Sequence, residues 1–167
     1  MTDGPITDEQ RDLIETAPLF FIASAHPDLE PGPTGQGPIN LSPKGGVSLQ
    51  VIDDRHVAYL DYGGSGNETA RHAEATGPVT VMIMSTDDQD AAIVRLYGHA
   101  RVTPLDKSPL ADRVLADAQP VESIGLVHRQ VVEIEVESTA TSCGYGVPIL
   151  EFHAQRTKTE HGRRYKV

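Results

Sequence analysis

Apolar residues recur along this chain mostly with a period of two, which predicts strands joined by short turns. Residues 19–25, Leu-Phe-Phe-Ile-Ala-Ser-Ala, form an apolar run of strand length, expected to be buried on both faces. Residues 39–42 resume an extended pattern after a Pro- and Gly-dense loop over 27–38, and Pro43-Lys44-Gly45-Gly46 is expected to break it. Residues 47–51 alternate as a half-buried strand does, and residues 55–62 carry the β-favouring Val57 and Tyr59. Further strands are predicted over 79–84, 93–102 and 131–137, the last with one acidic face. Within 93–102, Arg95, Tyr97, His99 and Arg101 share a face, and Gly98 marks a bulge or a barrel corner.

Helical signals are fewer. Thr7-Asp8-Glu9-Gln10 has capping-box spacing and predicts a helix to about residue 15, with Leu13 and Ile14 on its apolar side. A second helix is predicted from Asn67 to near Ala75, where Thr76-Gly77-Pro78 offers a terminal glycine and a stop. Ser108-Pro109 predicts a third, to about Ala118. Six or seven strands, three or so short helices and no βαβ alternation make an α+β fold, an antiparallel sheet that closes on itself. The expected organisation is one domain over residues 1–155 and a basic, polar tail over 156–167.

Composition narrows the partners. The 167 residues carry a formal net charge of −10, which disfavours nonspecific binding to nucleic acid or to an anionic membrane. No apolar run approaches the roughly 20 residues of a membrane span, and no secretory signal pattern opens the chain, so a soluble cytoplasmic protein is expected. The single cysteine, Cys143, excludes an internal disulfide and reads as a small packing residue rather than a nucleophile. The seven histidines form no spacing typical of a metal site, so no metal is expected.

The candidate chemistry gathers in three stretches and one strand arginine. Residues 55–72 read as a strand, a glycine-rich turn (Gly63, Gly64, Gly66) and a helix start, with Ser65 and Asn67 as possible N-caps and Ser65 to Glu68 at capping-box spacing. Such a junction aims free N–H groups at an anion, although the same residues also make a plain tight connection. In Asn40-Leu41-Ser42-Pro43-Lys44-Gly45 the lysine either neutralises a phosphate or is a solvated turn residue. Arg95 is either an ordinary charge on an exposed strand face or an anion ligand on a barrel rim. In residues 141–148, Tyr145 between two glycines can lie on a planar ligand or a neighbouring subunit. Gly63 to Asn67 approximates the G-x-S-x-G elbow of hydrolases, but the last position is asparagine and the α/β scaffold is missing.

Taken in order, Asn40 to Gly45, Tyr59-Leu60-Asp61 leading into Gly64 to Thr69, Arg95-Leu96-Tyr97-Gly98 and Thr141 to Pro148 resemble the pyridoxamine 5′-phosphate oxidase-like proteins, over roughly residues 15–155. The resemblance implies a split β-barrel, a homodimer and FMN in a cleft between subunits. It implies a flavin-binding set of Asn40, Ser42, Lys44, Tyr62, Ser65, Gly66, Asn67, Thr69 and Arg95. Where the oxidases carry Gly-Ser-Arg-Lys, this chain has Gly64-Ser65-Gly66-Asn67, and it has no tryptophan. Phosphate binding would then rest on N–H groups, hydroxyls, Lys44 and Arg71 or Arg95. No catalytic acid or base is assigned. The expected activity is FMN-dependent oxidation of an unnamed small molecule. The alternatives are a non-enzymatic module on the same dimeric barrel, holding flavin, deazaflavin or a tetrapyrrole, and a scaffold with a vestigial cleft and no cofactor.

Overall fold

A computed structural model of the chain describes residues 4–32, 37–64 and 66–158. In chain order the elements are α1 (Asp8–Thr16), β1 (Leu19–Ala25), β2 (Ile39–Gly45), β3 (Gln50–Val51), β4 (His56–Tyr62), α2 (Glu68–Glu74), β5 (Pro78–Met84) and β6 (Ala92–Pro104). A 3-10 turn (Leu105–Lys107), α3 (Ala111–Leu115), α4 (Val121–Ile124) and β7 (His128–Cys143) complete them. The seven strands form one sheet in the order β2-β1-β5-β6-β7-β4-β3, and every neighbouring pair is antiparallel. This is the α+β class that the alternation predicts.

The two longest strands carry a local device that bends the sheet. Between Tyr97 and Gly98 the β6–β7 register slips, so Ser138 and Val136 are paired while Glu137 is passed over. A Cβ at Gly98 would lie 1.9 Å from the Glu135 carbonyl oxygen, so only glycine lets the strands approach at this bend. Curling brings β2, at one edge, back to β4, next to last at the other. The two meet through side chains: Lys44 Nζ lies 2.8 Å from Asp61 Oδ1, and Tyr62 Oη donates to the Gly46 carbonyl at 2.9 Å. This seam is where the site lies.

Inside the curl, alternate residues of β1, β5, β6 and β7 supply the core: Phe20 and Ile22, Val79, Val81 and Ile83, Val94 and Leu96, Ile134 and Val136. Phe20 and Tyr59 pack edge to face with ring centroids 5.2 Å apart. Helix α1 is anchored by its cap and by one buried polar residue. Thr7 Oγ1 accepts from the Gln10 amide and Gln10 Oε1 accepts from the Thr7 amide, the reciprocal capping box. Gln10 Nε2 then donates to Thr139 and Thr141 on β7.

Several expectations are corrected. The strand buried on both faces is β4, whose residues 57–61 are all buried, whereas β1 alternates between buried and half-buried positions. Pro43 does not break β2, because β2 is an edge strand where a missing N–H goes unmissed. Val47, Leu49 and Val51 are buried with period two, yet only residues 50–51 join a ladder. Helix α2 does not end on its glycine: Thr76 takes the left-handed conformation at φ 60°. Gly77 is needed because a Cβ there would meet the Ala25 carbonyl oxygen at 2.0 Å. Ser108 Oγ accepts from the Leu110 amide and caps a turn, so the third helix shrinks to residues 111–115. Helix α4 was not expected, and β7 runs on through residues 141–143.

Candidate functional site

Alternate residues of a strand share a face, so Asn40, Ser42 and Lys44 of β2 line one wall of a cleft of about 850 Å³. Facing them are Asp61 and Tyr62 from the end of β4, then Gly64, Gly66 and Asn67, and the first turns of α2. Arg129 of β7 closes the floor. The cleft therefore occupies the seam where the two ends of the sheet meet.

Its electrostatic centre is Asp61, only 7% exposed. Lys44 Nζ donates to Oδ1, while Arg129 Nη2 and Gln130 Nε2 both donate to Oδ2, the latter at 2.9 Å. Burial alone would raise the Asp61 pKa; the Lys44 charge and the hydrogen bonds from Lys44, Arg129 and Gln130 outweigh it and hold the carboxyl below the usual carboxylate range. Lys44 also sits 5.6 Å from the centroid of the Tyr59 ring. With Lys44, Arg71 and Arg129 against Asp61 and Glu68, the lining carries one surplus positive charge in a chain of net charge −10.

A second polar pair lies along α2. His72 is 5% exposed, and its Nδ1 is 2.9 Å from Ser24 Oγ on β1. Burial, then the charges of His26 and Arg71, lowers the His72 pKa, which keeps the imidazole neutral at pH 7.

The sequence-derived candidates separate as follows. Asn40, Ser42, Lys44, Tyr62, Gly66, Asn67 and Thr69 all line the cleft, and Asn40 Nδ2 donates to Thr69 Oγ1 at 3.3 Å. Ser65 lies outside the described residues. Asn67 occupies the N-cap position of α2, but its side chain makes no cap bond; Oδ1 accepts instead from Gln130 Nε2 at 2.9 Å. Glu68 pairs with Arg71 at 3.2 Å. Arg95 is not in the cleft: it projects from β6 and donates to Ser142 Oγ at 3.0 Å. Cys143 is exposed at the end of β7 rather than packed inside, and Tyr145 beyond it is 86% exposed.

Arg129 and Gln130 carry no sequence expectation. The available signal was Asp61 itself, a carboxylate ending a fully apolar strand run, which demands cationic partners from elsewhere. Among the described residues no group of three or more His, Cys, Asp or Glu side chains gathers as a metal site would require. No described helix is long and apolar enough to cross a membrane.

Comparison with known proteins decides the family. The model of the pyridoxamine 5′-phosphate oxidase family matches residues 6–143. The chain belongs to the pyridoxamine 5′-phosphate oxidase family. It is 34% identical over 148 residues to the pyridoxamine 5′-phosphate oxidase family protein ustO of Aspergillus flavus, covering 87% of this chain and 55% of that protein. The chain thus spans about half the length of this curated relative. Among solved structures, HupZ of Group A Streptococcus superposes with a TM-score of 0.55 at 21% identity, over 80% of this chain and 91% of that one. An FMN-binding protein from Syntrophomonas wolfei superposes with a TM-score of 0.54 at 15% identity, over 78% and 86%. At such identities the likeness is one of fold, the split barrel of the pyridoxamine 5′-phosphate oxidase family. The antiparallel sheet has none of the alternating α/β units that a hydrolase elbow needs.

Proposed function

We propose that this family member binds FMN in the seam cleft, as a homodimer, and acts as a flavin-dependent oxidoreductase on a small molecule. The observation that carries the reading is the surplus positive charge of a half-shielded cleft in an otherwise acidic chain, at the seam of a barrel whose family is named for a phosphate-ester oxidase. A phosphate monoester is a dianion near neutral pH, and charge-assisted hydrogen bonds from partly buried donors suit it. Lys44, the Ser42 and Thr69 hydroxyls and the Asn40 and Asn67 amides are the groups present to hold it. The FMN-binding fold relative supports the cofactor assignment. When bound, a flavin supplies hydride chemistry, and the protein supplies orientation and electrostatics.

The chain's own residues do the rest. The Lys44–Asp61 pair fixes one cation at the cleft wall before any ligand arrives, and neutral His72, steadied by Ser24, is a group at the cleft able to accept a proton. Homodimerisation is supported by Ile39 and Leu41 on the edge strand, each 67% exposed, and by Tyr145 and Phe152. A cytoplasmic location belongs to the same proposal.

A second reading is favoured by Gly66 and Asn67, which stand where the oxidases carry Arg-Lys. On it the barrel holds a flavin, deazaflavin or tetrapyrrole without turnover. Purification followed by a visible spectrum, mass spectrometry of whatever co-purifies and an FMN titration tests the first reading, which expects a flavin spectrum and saturable binding. No flavin spectrum and no FMN affinity would remove it. Tight binding without oxidation of reduced nicotinamide or pyridoxamine phosphate would select the second.

A further inference from the structure

We propose that Arg129 is the second cation of the anion receptor, gripping a phosphate monoester together with Lys44 and supplying from β7 the charge absent at Gly66 and Asn67. This rests on the flavin reading of the same cleft.

The backbone is arranged for it. The β4–β7 register pairs Asp61 with Gln130 and Tyr62 with His128, so Arg129 is the extra residue of a bulge. In a regular strand, neighbouring side chains point to opposite faces. Here Arg129 and Gln130, adjacent in sequence, both reach Asp61 Oδ2, which requires the bulge to re-aim one of them. The bulge thus brings a guanidinium to the cleft floor that strand periodicity would send elsewhere.

Neutralising Asp61 does not account for this. Lys44 alone balances the carboxylate, and Arg129 adds a further positive charge beside it. Among the described residues, Nη2 is the Arg129 nitrogen with a partner, and the buried Nε has none. A guanidinium has five N–H donors, so donors remain after the Asp61 contact. Asp61 acts as a positioning residue, holding two like charges side by side in the absence of ligand. Gln130 extends the same network to Asn67 Oδ1, and among the described residues the Asn67 amide nitrogen keeps no partner at the cleft lining.

Calorimetric titration of wild-type protein, Arg129→Gln and Arg129→Lys with FMN, riboflavin and inorganic phosphate tests the assignment. Arg129→Gln is expected to weaken FMN about 10- to 100-fold, the worth of a charge-assisted contact, while riboflavin affinity stays unchanged. Arg129→Lys is expected to recover part of the loss, and it serves alone if the glutamine variant fails to fold. Equal weakening of FMN and riboflavin, or no weakening of FMN, would overturn the assignment and leave the flavin reading standing. Wild type that binds phosphate through Arg129 but neither flavin would uphold the receptor and remove the flavin reading. Wild type that binds both flavins alike and no phosphate would overturn the receptor alone.

Discussion

Replacing Asp61 by asparagine separates what holds the seam from what merely lines it. The side chain keeps its shape but loses the charge that lies between Lys44 and Arg129, and three donors converge on it in a site where its own exposure is 7%. Removing one partner of a buried ion pair costs roughly 3–5 kcal/mol when the other is fully enclosed. Here the Lys44 and Arg129 side chains are 19% and 28% exposed, so water relieves part of the repulsion and a loss at or just below that range, about 2–3 kcal/mol, is expected. Urea unfolding at pH 7 reads that loss. The pH dependence gives an independent check. The folded-state pKa of Asp61 lies below its unfolded value, so its stabilisation is complete above the unfolded pKa of about 3.9 and disappears as pH falls through the folded value. The difference between wild type and variant should therefore be constant from pH 5 to 8 and shrink below about pH 4. A variant as stable as wild type at pH 7 would refute the claim that this carboxylate closes the barrel.

Gly98→Ala puts a Cβ 1.9 Å from the Glu135 carbonyl oxygen in the two longest strands, and a loss of about 2–4 kcal/mol in thermal or urea unfolding is expected. Thr7→Ala removes the acceptor of the Gln10 amide and half of the capping box, which should cost about 1 kcal/mol, read in the same assay. Burial keeps the His72 pKa below its ordinary value, so the unfolded chain takes up the proton first and stability falls as pH drops below about 6.5. Titration of the His72 ring followed by NMR should show a midpoint below that of a free imidazole, and an ordinary midpoint would contradict the buried Ser24 pair.

The parts of the fold that were legible in sequence are those governed by short-range physics. The α1 capping box, the extent of α2 and the strand over residues 78–84 follow from residues three or four apart or from simple alternation. Gly98 could be read as a bend because a glycine inside an alternating run has few other uses. What was not legible depends on partners distant in the chain. Pro43 reads as a break because nothing local says that β2 is an edge. Asn67 looked like a cap, but Gln130, 63 residues away, takes its oxygen. Arg95 reads equally as an exposed strand charge or a rim anion ligand, and only the sheet topology shows it beside Ser142 and outside this cleft. Arg129 reaches the cleft through a register slip between β4 and β7, which no periodicity in either strand announces. The cleft wall was thus readable from β2 and the α2 turn, while its electrostatic floor was not.

A crystal structure of the protein with FMN measures whether the seam between β2 and β4 receives the phosphate of a flavin. The phosphorus is expected within hydrogen-bonding reach of the Lys44 ammonium and the Arg129 guanidinium, with Asp61 still bridging them. A flavin bound elsewhere, with Lys44 and Arg129 facing only Asp61 and solvent, would contradict it.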